Sequence, residues 1–445
     1  MSAHRHHRGA PRRSNPESPS SALPAGWPDV AGAIDAARLA TDFEALCGFG
    51  GRFAGTASER SAVAWLKARL AADFGRAPGV VTLPHDGWQR LGQRLELLDG
   101  AGAELACHAL VWSPSTPARG LEAEVVDLGR GSPEEIAARA DELRGRIALV
   151  RHEYMFWPGT VHRRVKYDAA KAAGAAGFLI ANRLPGDWLV TGSSGRNGPD
   201  DIPAAGITLE GAAALAGNGL LYPRVRLTVE TATVPTVAEC LVLDLPGRGP
   251  EWVALSAHID GHPLAESAMD NATGLAAVME IGRAMAPVIG GLERGLRICL
   301  FNLEEWGVAG SARYLDEMPP ESRAAIALNV NLDAIAGDPS LTALTSEFPK
   351  LEPFLAGIAR ALDMPLGFYA PLMRNSDHVH FARHGIPALR LVAGFGDPDS
   401  ELRWVLTPED RRAKVNPADL AAATRLAAAI TLAACSAPVL DLRGD

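Results

Sequence analysis

The sequence predicts an α/β fold: a mostly parallel central sheet flanked by helices, with a smaller β-rich α/β domain inserted into it. Three observations carry that expectation. The apolar runs at 252–257, 296–303 and 324–332 are almost uninterrupted instead of alternating, as in strands covered on both faces. Helical spacing follows the first run, over Leu275, Val278, Met279, Gly282 and Met285. Between residues 91 and 235 the character changes to short strands and turns around one helical stretch.

Length and composition agree with this organisation. At 445 residues the chain is too long for one core. It divides into a disordered tail (1–24), an N-terminal helical part of the main domain (25–90), the insertion (91–235) and the rest of the main domain (236–445). An apolar fraction of 47% with 21% charged residues suits a soluble globular protein, and a net charge of -9 offers no basic face to nucleic acid. Five cysteines, at 47, 107, 240, 299 and 435, form no Cys-x-x-Cys pair, which suits free thiols in a reducing compartment. The His- and Arg-bearing start lacks the apolar core of a secretory signal, and the alanine-rich stretch 426–439 is shorter than a membrane span. A cytoplasmic protein with no membrane partner is expected; nothing specifies an oligomeric state.

Taken in order, helical spacing over 35–74 is interrupted by the glycine-rich segment 48–55, after which Thr56 or Ser58 can cap a packing helix. In the insertion, strands are expected at 95–100, 124–129, 144–150, 177–182 and 202–209, and a helix at 165–173. His152 and His162 with Trp157 read as solvent-facing loop residues. The main sheet resumes at 238–245 and takes in the three apolar runs. A helix at 351–362, a short one opened by Ser376-Asp377-His378, a strand at 386–392 and a final helix begun by Pro417 complete it.

Three strands thus end on polar groups: His258 followed by Asp260, then Glu304-Glu305, then Asp333. Asp270 stands at the start of the helix between the first two. One carboxylate at a strand end is commonly a cap or ion-pair partner. Several buried together are costly unless a cation neutralises them. Imidazole with carboxylates and no thiolate suits zinc, or cobalt or manganese, in a catalytic site.

His258-x-Asp260, Met269-Asp-Asn-Ala-Thr-Gly274, Glu304-Glu-Trp-Gly-Val-Ala-Gly-Ser311, Asn331-Leu-Asp333 and Ser376-Asp-His378 come in the order of, and resemble, the dinuclear zinc aminopeptidases. That family also contains glutamate carboxypeptidase and glutaminyl cyclase. The order of short strands in the insertion is similar to a protease-associated domain. The resemblance implies a zinc-exopeptidase fold, peptide substrates and two zinc ions. It implies that Asp270 bridges the ions, that His258 and Asp333 hold one, and that Glu305 holds the other. Asp260 would hydrogen-bond the His258 imidazole from behind, and Glu304 would be the general base for attack by water on the peptide carbonyl. An aminopeptidase acting on short peptides is the simplest expectation, with a glutaminyl cyclase-like acyltransferase or a non-catalytic relative as alternatives.

The chain departs from that pattern at Leu406-Thr-Pro-Glu-Asp410, where the family has a fifth ligand, histidine, in place of Leu406. Leucine cannot bind zinc, which puts the second ion in question. His378 is the expected replacement, with His380 as the weaker choice.

Overall fold

The computed structural model describes residues 23–100, 102–195, 198–217 and 222–443. The tail expected over 1–24 therefore lies, as far as residue 22, outside the described residues. The chain begins with helices Trp27–Ala33, Ala36–Gly48 and Ala57–Phe74. Asp35 caps the second through the amides of Ala37 and Arg38, at 2.9 and 3.1 Å. Of the two expected caps of the third, Thr56 serves, accepting from Glu59 N at 3.3 Å. The Ser58 hydroxyl instead donates to the Phe49 carbonyl at 2.5 Å.

The strands are β1 (Gly79–Leu97), β2 (Ala103–Leu105), β3 (Cys107–Ala109), β4 (Leu121–Asp127), β5 (Ile147–Arg151), β6 (Gly177–Ala181) and β7 (Ala204–Ile207). They continue as β8 (Arg224–Leu245), β9 (Trp252–His258), β10 (Gly295–Phe301), β11 (Ile326–Leu332), β12 (Leu341–Leu344), β13 (Gly367–Tyr369) and β14 (Ala388–Ala393). Their path is β13-β12-β14-β11-β9-β10-β8-β4-β5-β6-β7-β3, with β1 beside β8. β9, β10, β11 and β14 are mutually parallel neighbours, as are β4, β5, β6 and β7.

The two halves share one antiparallel ribbon. β1 and β8 pair from Gly79 with Val242 to Leu97 with Val225, so the boundaries expected at 91 and 235 fall inside continuous strands. Apart from the buried Trp88, side chains in the middle of the ribbon, at 89–91 and 233–235, are exposed, Leu91 at 64%, so backbone pairing rather than an apolar run maintains the strands there. The short strands β12 and β13, which carry too few residues to show a pattern, also join the sheet unannounced.

The centre of the sheet is dry. Val253, Leu255, Ile298, Leu300, Leu328 and Val330 are fully buried, and each contributes roughly 1.5–3 kcal/mol by burial. Helices Thr273–Met285 and Pro417–Ser436 pack against β9. The latter has proline in its first turn and an Asn416 cap to Ala418 N at 2.9 Å. It spans 20 residues, longer than expected, and is long and apolar enough to cross a membrane; 67% of its apolar window is buried in the fold. All five cysteines are buried and free.

Candidate metal centre and active site

Because β11, β9 and β10 are adjacent and parallel, their carboxyl ends open on one edge, where ligands sit in such sheets. His258 is the last residue of β9, Asp333 follows β11 directly, and Glu304-Glu305 come three and four residues after the end of β10. Leu303 and Ala334, each two residues past its strand, hold left-handed φ values of 62° and 59°. Such conformations cost a non-glycine residue about 1–3 kcal/mol and turn the chain sharply there. Asp270 precedes helix Thr273–Met285, and its turn is tied to β11: the Asn271 amide donates to Leu332 O at 2.9 Å. A Cβ on Gly274 would fall 2.3 Å from that same carbonyl, so only glycine lets the helix start this close.

The result is a convergent group. One ligand atom each from His258, Asp270 and Asp333 lies within 4.8 Å of the others, the one such group of three among the described residues. His258 Nε2 is 3.0 Å from Asp270 Oδ1 and 3.5 Å from Asp333 Oδ1. Yet His258 Nε2 and Asp333 Oδ1 are buried with no aligned hydrogen bond. Lone pairs that converge without bonding one another fit a cation between them. The ring is set for this role, since Nδ1 meets the Asp260 backbone carbonyl at 2.9 Å and leaves Nε2 as the ligand nitrogen.

That contact corrects the role expected of Asp260. Its carboxylate lies 4.0 Å from the imidazole and accepts instead from the amides of Glu304 and Glu305, at 3.0 and 3.1 Å. Both oxygens are taken by these N–H groups, so Asp260 positions the Glu304-Glu305 turn, and its backbone carbonyl, not its side chain, orients His258. Asp333 is shared as well: its Oδ2 is 3.2 Å from Arg390 Nη2. Burial pushes the Asp333 carboxyl up, but Arg390 and His258 prevail and hold it well below the usual range.

Electrostatics mark the site as short of positive charge. Burial, with Glu305 and Asp333 adding to it against the pull of His258, pushes Glu304 well above the usual carboxylate range. Burial and Asp270 do the same to Glu305. Carboxylates crowded this way without a counter-charge are what a metal ion relieves.

Asp270, Glu304, Glu305 and Asp333 line a cavity of about 590 Å³ whose other wall comes partly from the insertion, including His162, Arg163 and Arg164. His162 is therefore not the solvent-facing loop residue expected. It is half-buried, accepts from Arg164 N through Nδ1 at 3.1 Å, and caps helix Arg163–Ala172. His152 is also half-buried, whereas Trp157 is exposed.

His378 heads the short helix His378–Arg383 as foreseen, and is fully buried, but it lies outside the convergent group. A residue that the spacing did not single out lies against Glu305, the expected ligand of the second ion. His262 Nε2 lies 2.5 Å from Glu305 Oε2. Burial pushes the His262 pKa down to about 3, so the ring is neutral with a lone pair available. The only sequence signal was a histidine four residues after His258 in the same turn. Leu406 is 3% exposed and lines the cavity, and its carbonyl accepts from Thr191 N of the insertion at 2.9 Å. Asp410, from the same segment, accepts from Met269 N at 2.8 Å, beside Asp270.

Comparison with known proteins agrees with this geometry. Residues 241–431 match Peptidase family M28 and residues 113–215 match the PA domain, which places the insertion between β1 and β8. Aminopeptidase YwaD of Bacillus subtilis is 27% identical over 328 residues, spanning 71% of this chain and 68% of that protein. Human carboxypeptidase Q is 29% identical over 253 residues, 53% of this chain and 51% of its own length. Among solved structures, a peptidase M28 precursor from Shewanella amazonensis superposes with a TM-score of 0.78 at 22% identity, covering 94% of this chain and 97% of that one. BSAP, a zinc aminopeptidase from Bacillus subtilis, gives 0.72 at 23% identity over 91% and 96%. The parallel sheet edge with its convergent His258, Asp270 and Asp333, and the PA domain walling it, thus belong together: residues 241–431 match peptidase family M28, residues 113–215 match an inserted PA domain, and the pair marks a metallo-exopeptidase type of hydrolase.

Proposed function

We propose that the protein is a zinc-dependent exopeptidase, most simply an aminopeptidase acting on short peptides, with Glu304 as its general base. The observation that carries this reading is the convergence of His258 with Asp270 and Asp333, two carboxylates that line the same cavity as Glu304. These residues fit zinc, being imidazole and carboxylate donors with buried atoms lacking hydrogen bonds. Zinc held there supplies a Lewis acid that polarises the scissile carbonyl and makes water acidic. Glu304 takes the proton of the attacking water and returns it to the departing amine. Asp260 keeps Glu304 aimed by holding the amides of Glu304 and Glu305. The names of the aminopeptidase relatives support the choice of an amino-terminal exopeptidase. The buried free thiols support a cytoplasmic location.

The test is metal analysis of purified protein together with a panel of aminoacyl amides, their N-acetylated forms and dipeptides. Zinc in the protein, loss of turnover on chelation with recovery on zinc addition, and cleavage restricted to free-amine substrates are expected. Equal cleavage of the N-acetylated forms overturns the aminopeptidase reading, and cyclisation of glutaminyl peptides would favour the acyltransferase instead.

The cavity wall supports short substrates. Arg163, Arg164, Arg374, Arg383 and Arg390 line it, and Arg374 and Arg383 are exposed. Guanidinium groups suit the free carboxylate of a di- or tripeptide. Arg374→Ala is expected to raise KM for dipeptides roughly two- to fivefold, as loss of one exposed charge contact does. The corresponding amides should be nearly unaffected; an equal change for both would show that Arg374 does not meet the carboxylate.

A further inference from the structure

We infer that His262 and Glu305 are the ligand pair of a second metal site beside His258, Asp270 and Asp333, with His262 serving where Leu406 cannot. This rests on the zinc reading above and assigns a residue to it. His262 Nε2 and Glu305 Oε2 are 2.5 Å apart, yet the contact is not aligned as a hydrogen bond. Both ring nitrogens of His262 and Oε1 of Glu305 are buried without a hydrogen bond, and His262 is 4% exposed. Orphaned polar atoms in so dry a place are costly, and a shared cation satisfies them together. The donor set is one imidazole and one carboxylate, with Glu305 lining the same cavity as Asp270, and is of the type that zinc accepts.

The loop is built to hold His262 there. A Cβ on Gly51 would fall 1.9 Å from the His262 carbonyl oxygen, so glycine alone permits this contact between segments far apart in sequence. The His262 amide donates to Ser267 Oγ at 2.9 Å. On either side, the buried Arg52 guanidinium donates to the carbonyls of Ile259, Glu266 and Ser267, at 2.9, 2.8 and 2.8 Å. Glu305 is pinned from its own side through the Asp260 carboxylate. His378 is also buried with both ring nitrogens unbonded, but among the described residues no carboxylate pairs with it as Glu305 does with His262.

The experiment is zinc stoichiometry of the full chain, measured by elemental analysis after loading and desalting. Cobalt substitution, with visible absorption read during titration, gives a second readout independent of turnover. The native chain should take up two equivalents, His262→Ala one, and His378→Ala two. Leu406→His in the His262→Ala background should restore the second equivalent, because residue 406 lines the same cavity. If circular dichroism shows His262→Ala misfolded, His262→Gln, which keeps polar bulk without an imidazole, carries the same test. A native chain with one equivalent, or a folded His262 variant with undiminished uptake, overturns the inference while leaving the zinc reading intact. A native chain that binds no zinc sinks both.

Discussion

Glu304→Gln is expected to lower kcat about 10²- to 10⁴-fold, the usual value of a positioned general base, while zinc content and thermal midpoint stay near those of the native chain. The amide is isosteric but cannot accept the proton of the attacking water. Glu304 is outside the group formed by His258, Asp270 and Asp333, so its neutralisation removes no member of that group. It also relieves crowding: Glu304 is buried among Glu305, Asp333 and Asp377, whose charges oppose its own. A modest rise in stability of the metal-free protein should therefore accompany the loss of turnover. Turnover within a few-fold of native would mean that another group accepts the proton, and a parallel loss of zinc would make Glu304 a ligand instead of a base.

The sheet was legible where burial is complete. β9, β10 and β11 have no solvent face, so their residues read as unbroken apolar runs, and the polar groups at their ends stand out. The ribbon of β1 and β8 was not legible past its ends, since its exposed middle carries no apolar period for a sequence reading to find. The same distinction governs the site. His258, Asp270 and Asp333 could be picked out because strand and helix ends present them. The direction of a side chain within a loop depends on contacts made elsewhere. His262 is aimed by Gly51 and the Arg52 network some 200 positions earlier, and the Asp260 carboxylate is claimed by amides that follow β10. Arg390 was hidden in the apolar pattern of β14, where it reads as a strand residue until Asp333 is found beside it.

Arg52 is the residue whose replacement should most damage the fold around the site. Its guanidinium is wholly buried and donates to five backbone carbonyls, those of Leu46, Gly50, Ile259, Glu266 and Ser267. The acceptors belong to two segments: the last turn of helix Ala36–Gly48 with the glycine-rich interruption after it, and the loop from His258 to Ser267. Leu46 O also accepts from Phe49 N and Ser267 O from Ala272 N, but among the described residues the carbonyls of Gly50, Ile259 and Glu266 have no donor besides Arg52, so one side chain serves both segments. Arg52→Met keeps much of the volume and removes all five donors. Several stranded acceptors, at about 1–3 kcal/mol each and partly relieved by water, put the expected loss near 3–5 kcal/mol. It is read as a lower urea midpoint with an unchanged slope. Arg52→Lys should fall between, because an ammonium has three donors and cannot reproduce the planar fork. The loop should loosen before the sheet does. Amide exchange in 259–267 should therefore accelerate in Arg52→Lys while β9 and β11 stay protected. If the methionine variant unfolded at the native midpoint, the carbonyls would have to find other donors, and Arg52 would not be what holds His258 and His262 over the sheet edge.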